Sequence, residues 1–137
     1  MEASEHVLDL VNNRAETRGF LATADTYGKC DAACFSSLRL ADRSTMTVTM
    51  SPNRSLSNLK ANPNAAFVVT RGNSIEDVDG CRVYLLVREI IESGPALEEA
   101  RQAAAEQMGE EAAKHIKAVV TFDITETRPI IDMGQSA

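Results

Sequence analysis

A polar segment of five residues, SPNRS at 51–55, stands just before two leucines that have helical spacing. The first N–H groups of a helix have no partner inside the helix and carry a partial positive charge, so they attract anions. Asn53 or Ser51 can cap this helix end, and the planar guanidinium of Arg54 matches two phosphate oxygens. These residue types and their spacing predict an anion-binding site.

Two more polar residues belong to the same short helix. Ser55 places a hydroxyl in the first turn, and Asn58 lies one turn later, where it can orient Arg54 or bind the same ligand. The same residues also suit ordinary helix capping, and an exposed arginine on a helix is usually a solvated charge. Both interpretations stay open on the residues alone.

Other kinds of site have no supporting pattern. Cys30, Cys34 and Cys81 show neither the paired spacing of a zinc site nor the density of a disulfide scaffold, which predicts reduced, mostly buried thiols. His6 and His115 belong to separate helices, so we expect surface histidines and no metal site. No hydrolase elbow or Walker loop is present, and no catalytic acid or base is identified.

The composition indicates one domain over residues 1–137. The chain is 44% hydrophobic and 25% charged, with a net charge of -6. An acidic chain without clustered basic residues is a poor partner for nucleic acid or anionic lipid. The N-terminal segment lacks a basic flank followed by a long apolar run, which predicts no signal peptide, no membrane span and a cytoplasmic location.

Hydrophobic periodicity predicts the elements that hold the polar segment. A first helix is expected at about 4–14, and Pro95 begins a later helix that Gly109 can divide. Six strands are predicted at 19–24, 31–40, 45–50, 65–69, 81–91 and 119–124. We expect a tail at about 125–137 that is ordered only against something else, such as a second subunit.

This order of elements predicts a mainly β (α+β) fold. Successive strands joined by short turns favour antiparallel pairing, and few strand-helix-strand units are present. The expected architecture is a six-stranded antiparallel barrel with short flanking helices.

Two stretches, FLATADTYGKCDAACFSSLRLA and NRSLSNLKANPNAAFVV, resemble the FMN-binding split-barrel family related to pyridoxamine 5'-phosphate oxidase. The resemblance runs from about Gly19 to Phe122 and implies a split β-barrel. It also implies FMN in a groove at a homodimer interface. In that family the flavin phosphate lies near the start of the short helix, and the flavin ring lies along the second and third strands.

The resemblance implies a set of cofactor-binding residues in this chain. Those expected near the phosphate are Ser51, Asn53, Arg54, Ser55 and Asn58. Those expected near the ring, through side chains or backbone groups, are Ala33, Cys34, Phe35, Ser36, Thr49, Met50 and Ser51.

The chain also departs from the oxidase branch of that family. The lysine of the family's Ser-Arg-Lys falls on Ser55, and a strand arginine and lysine fall on Ala33 and Leu38. No counterpart of the C-terminal tryptophan and arginine element is present. A phosphorylated substrate beside a phosphorylated cofactor would need more positive charge, so we do not expect oxidation of pyridoxamine 5'-phosphate.

The expected function is an FMN-dependent oxidoreductase that acts on a small unidentified substrate, with NAD(P)H as a possible donor. The alternative is a protein that carries FMN, haem or a deazaflavin without turnover. Arg82 and Arg88, six residues apart, could reach a phosphate or a partner subunit, or form ion pairs. Tyr27 and Tyr84 could frame a substrate pocket or pack in the core.

Overall fold

Seven strands and four helices form the part of the chain that the structure, a computed structural model, describes: residues 1–13, 15–131 and 133. In chain order they are α1 Glu5–Asn12, β1 Arg18–Ala24, β2 Cys30–Cys34, β3 Arg39–Asp42, β4 Thr45–Met50, α2 Arg54–Ala61, β5 Asn64–Arg71, β6 Asp79–Ile91, α3 Pro95–Met108, α4 Glu110–Ala113 and β7 Ala118–Pro129.

All seven strands belong to one antiparallel sheet in the order β2-β1-β5-β6-β7-β4-β3. The outermost strands, β2 and β3, are joined by only residues 35–38, so the two ends of the sheet must approach each other. The N–H of Phe35 donates to the Gly19 carbonyl at 3.0 Å, and the Ser37 hydroxyl donates to the Thr49 carbonyl at 3.1 Å. The predicted antiparallel split barrel is confirmed.

The strand predicted at 31–40 is two strands, which makes seven instead of six. Its first part pairs with β1 and its second part with β4, and the chain must turn between two such distant partners. The sequence favours a turn at Ala41, Asp42 and Arg43, but β3 continues to Asp42 and the turn lies at Arg43 and Ser44. Hydrogen bonds from the N–H and hydroxyl of Ser44 hold the pKa of Asp42 below its ordinary value.

The last strand is longer than predicted. β7 continues to Pro129, which lies opposite Cys81 in β6, so residues 125–129 belong to the sheet and not to a tail. Two irregularities in this ladder leave Thr125 and Arg88 without opposite residues. α1 ends at Asn12, two residues before the predicted limit. Of the predicted tail and first helix, residues 14, 132 and 134–137 lie outside the described part of the chain.

The main core fills the barrel and includes one face of α1. Inward strand residues alternate with outward ones, as period-two patterns require, and Met46, Val48 and Phe122 are almost completely buried. Val7 and Leu10 of α1 are buried in the same cluster, so this helix packs against the core. Ser4 caps it, accepting from the N–H of Val7 at 3.2 Å.

A smaller core holds α3 and α4 against β7. It consists of Leu97, Ala104, Ala113 and Ile116. Gly109, with φ of 91°, separates the two helices, which is the break expected from the sequence. Among the described residues, every helix is too short or too polar to span a bilayer.

Candidate cofactor-binding site

The start of α2 has the form of an anion-binding helix end. Asn53 is the N-cap, and its side-chain oxygen accepts a hydrogen bond from the N–H of Leu56 at 2.9 Å. Ser51, the other possible cap, precedes the helix. In the part of the chain that the structure describes, the N–H groups of Arg54 and Ser55 donate to no acceptor. Two oriented donors are therefore available at this end of the helix.

The side chain of Arg54 is available for a ligand. It is exposed and forms no hydrogen bond or ion pair with the other described residues. It borders a groove of about 180 Å³ between α2 and the β1–β2 turn. The residues that line this groove are Asp25, Lys29, Cys30, Asp31, Arg54 and Asn58.

A buried hydrogen bond fixes α2 beside this groove. Asn58 is 6% exposed, and its amide nitrogen donates to the hydroxyl of Thr23 in β1 at 3.0 Å. Ser55, Leu56 and Leu59 are buried on the same side of the helix. Asn58 therefore orients the helix that carries Arg54, whereas the buried Ser55 side chain is not among the groove-lining residues.

Lys29 is a second cation at the groove, and it was not predicted from the sequence. The turn that carries it is shaped by Asp25, whose carboxylate accepts from the N–H groups of Tyr27 at 2.8 Å and Lys29 at 2.9 Å. Asp31 also lines the groove, so two cations and two carboxylates share it. Only the hairpin's position against α2 could have identified Lys29, because it lies 25 residues before Arg54.

Three residues predicted near the flavin ring line a second, smaller cavity. Cys34, Phe35 and Ser36 border a space of about 110 Å³ near the start of β1. Cys34 lies four residues from the groove residue Cys30, which is roughly 13 Å along a strand. Ala33 is half-buried opposite Leu21. Arg54 and Asn58 therefore share a groove with Cys30 at the start of β2, whereas Cys34, Phe35 and Ser36 line a separate cavity at its end.

The remaining predicted ring residues end β4 and lead into α2. The Thr49 carbonyl accepts from Ser37, and the Met50 carbonyl accepts from the N–H of Lys117 at 2.8 Å. The Met50 side chain is buried in the core, whereas Ser51 is half-buried. Thr49 is also half-buried, and it lines a cleft of about 270 Å³ under α3.

The other charged candidates lie away from the groove. Arg88 donates to Asp123 at 2.9 Å and to the Thr45 hydroxyl at 3.0 Å, and the hydrogen bond to Asp123 raises the pKa of Arg88. Arg82 donates to the Pro129 carbonyl at 2.8 Å and to the hydroxyl of Tyr84 at 3.3 Å. The ion-pair interpretation of Arg88 is therefore confirmed.

The three cysteines differ from the expectation of mostly buried thiols. Cys30 and Cys34 are exposed because β2 is an end strand of the sheet, and only Cys81 is buried. Burial raises the pKa of Cys81 to about 11. No group of three or more His, Cys, Asp or Glu side chains within the described residues is arranged to hold a metal ion.

Solved structures with similar folds include flavin and haem proteins. An FMN-binding protein from Syntrophomonas wolfei subsp. wolfei is 20% identical, with a TM-score of 0.79 over 94% of this chain and 86% of that chain. HupZ from Group A Streptococcus is 23% identical, with a TM-score of 0.71 and 90% coverage of both chains. HutZ, the haem storage protein from Vibrio cholerae, is 15% identical, with a TM-score of 0.66 over 94% and 95% of the two chains. At these identities the likeness shows the fold.

The family is shown by the sequence itself. A search of curated proteins finds no match. A sequence model described as pyridoxamine 5'-phosphate oxidase matches residues 4–130. This span includes the barrel, the α2 helix and the groove beside it. The chain therefore belongs to the pyridoxamine 5'-phosphate oxidase family.

Proposed function

We propose that this chain binds FMN as a homodimer and acts as a flavin-dependent oxidoreductase on a small substrate, with NAD(P)H as electron donor. FMN, when bound, supplies the redox chemistry at its ring. The single observation that carries the proposal is the start of α2, where the N–H groups of Arg54 and Ser55 donate to no acceptor among the described residues and Arg54 lines the groove beside the helix.

The residues at this helix end fit a phosphate ester. Phosphate oxygens accept hydrogen bonds from N–H groups at helix starts, and a guanidinium binds two of them side by side. The lysine of the family is replaced by Ser55 in this chain. Lys29 instead supplies a second positive charge at the groove. The carboxylate of Asp25 accepts hydrogen bonds from backbone N–H groups of its own turn, which orient one of its oxygens toward that turn.

The outer face of the sheet supports a dimer. Phe20 is 41% exposed, and its neighbours across the sheet are Cys34 and Val68. Ala22, two residues further along β1 and on the same face, lies between Ala32 and Ala66. These small and apolar residues form a continuous outward surface on β2, β1 and β5. A surface of this kind marks a contact region for another protein, and we assign it to a second copy of the chain.

The charge of the groove argues against pyridoxamine 5'-phosphate as substrate. Arg54 and Lys29 share the groove with Asp25 and Asp31, so no net positive charge remains for a second phosphate once that of FMN has bound. The positions of the family's strand cations are occupied by Ala33 and Leu38. The substrate is therefore expected to lack a phosphate group.

Replacing the arginine tests the site. Arg54→Ala should weaken FMN binding by about 1.5 to 3 kcal/mol, the range for hydrogen bonds to charged groups, as measured by quenching of flavin fluorescence. Riboflavin, which has no phosphate, should bind both proteins equally. Lys60→Ala is the matched control, because Lys60 lies at the other end of the same helix and pairs with Glu92 at 2.9 Å.

Unchanged FMN affinity in Arg54→Ala would show that the arginine is only a solvated helix residue. A protein that takes up no FMN from excess cofactor would contradict the proposal as a whole.

The alternative function is to carry a cofactor without turnover. Proteins of this fold include one named for FMN binding and one named for haem storage, so the same barrel serves both purposes. Steady-state oxidation of NADH or NADPH with a panel of acceptors separates the two functions. Catalytic turnover supports the oxidoreductase, whereas bound flavin that is reduced only slowly and chemically supports a carrier of FMN, haem or a deazaflavin.

A further inference from the structure

A cleft of about 270 Å³ lies between α3 and the outer face of β3 and β4. Thr47 and Thr49 form part of its strand wall, and Ala100 and Ala103 form part of its helix wall. Because both walls carry short side chains, the helix and the sheet leave space between them. The walls are a helix side and a sheet face, so the space suits a flat molecule.

The cleft is held open by packing on one side of α3. Leu97 and Ala104 are buried in the small core that includes Ile116 and that is packed against Val119 of β7. This contact fixes the distance of α3 from the sheet, and the alanines of the helix are too short to reach β4. Pockets that are already formed and largely apolar are typical of small-molecule sites.

One cation at the cleft has no carboxylate partner. Arg39 lines the cleft and donates through Nη2 to the Gln107 side-chain oxygen at 3.2 Å, which joins β3 to α3. Gln107 is neutral, and among the described residues no Asp or Glu forms an ion pair with Arg39. The exposed guanidinium therefore has no counter-charge among the described residues and is available to an anionic group of a ligand.

The cleft also adjoins the proposed flavin site. Thr49, which the family resemblance places near the flavin ring, lines the cleft and is followed by the chain that leads to Arg54 in α2. A molecule in the cleft would lie next to the end of β4, where the flavin ring is expected.

We propose that this cleft is the substrate pocket, and that it takes a small, flat, largely apolar carboxylate whose charge is bound by Arg39 and Gln107. The assignment rests on the proposed function, because it is the adjoining flavin that makes the occupant a substrate. The distance between the threonine wall and the alanine wall favours a thin ligand, and the guanidinium of Arg39 favours a ligand with a negative charge.

Benzoate is a suitable probe of this pocket. Its binding to the FMN-loaded protein is measured by calorimetry and by chemical shifts of cleft amides, with benzamide as the uncharged comparison. Arg39→Met should weaken benzoate binding roughly tenfold to hundredfold and weaken benzamide binding less, because only benzoate carries a negative charge. Ala103→Leu fills the cleft and should abolish binding of both. Ala96→Leu, at an exposed alanine of the same helix outside the cleft, is the control.

Both cleft variants should bind FMN as tightly as the unaltered protein, which separates this proposal from the phosphate site at Arg54. Absence of benzoate binding, or binding unaffected by Arg39→Met and Ala103→Leu, would overturn the proposal. Competition between FMN and benzoate would also overturn it, because the cleft would then belong to the flavin itself. If the protein binds benzoate in the cleft but takes up no FMN, the pocket is real and the proposed flavin function fails.

Discussion

The hydrogen bond between Asn58 and Thr23 is expected to control both the stability of the barrel and the position of the cofactor site. It joins α2 to β1 at 3.0 Å between two side chains that are 6% and 4% exposed. We consider Asn58→Ala, Thr23→Val and the double variant. Thr23→Val keeps the shape of the side chain and removes only its hydroxyl.

The expected magnitudes follow from burial. Each single variant leaves one buried polar group without a partner, which costs about 1 to 3 kcal/mol of unfolding free energy. Asn58→Ala recovers roughly 0.5 kcal/mol through the better helix propensity of alanine. The double variant leaves neither group unpaired, so its loss should be smaller than the two single losses combined by about 1 to 2 kcal/mol.

Urea unfolding of the four proteins, followed by circular dichroism, measures this coupling. Ser57→Ala, at an exposed position of the same helix, is the control and should change stability by less than about 0.5 kcal/mol. Additive losses within about 0.3 kcal/mol would refute the reasoning, since they would show that the two side chains do not interact. FMN affinity should fall in Asn58→Ala, because Arg54 is then held less firmly over the groove.

Two further predictions concern thiols and assembly. At mild alkaline pH, iodoacetamide should modify the exposed Cys30, which is not among the residues of the proposed dimer surface, but not the buried Cys81, as read by mass spectrometry. The pKa of Cys81 is raised from 9.0 to about 11, so stability should fall as the pH rises through that interval and the unfolded thiol ionises first. Cys81→Ala should remove this dependence of stability on pH. An unchanged dependence would contradict the prediction. Phe20→Glu should turn a dimer into a 14.8 kDa monomer in light scattering. Tyr27→Glu, in an exposed turn, is the control and should remain a dimer. If Phe20→Glu is still a dimer, the interface lies elsewhere.

Local patterns were sufficient for most elements of the fold. The alternation in Thr45–Met50 predicted a half-buried strand, and Met46 and Val48 are indeed buried. Ser4 and Asn53 cap the helices that follow them, because capping depends on residues within one turn. The division of the second predicted strand was missed, since its apolar pattern continues while its pairing partner changes from β1 to β4.

Features that depend on distant residues required the tertiary structure. The sequence identified Arg54 and the helix start, because these belong to one short segment. It could not bring Lys29 to the same groove, pair Asn58 with Thr23, or place Arg39 beside Gln107 across a cleft. Helix caps and strand alternation are local and follow from backbone geometry, whereas a binding site joins side chains that only the closed sheet and its packed helices bring together.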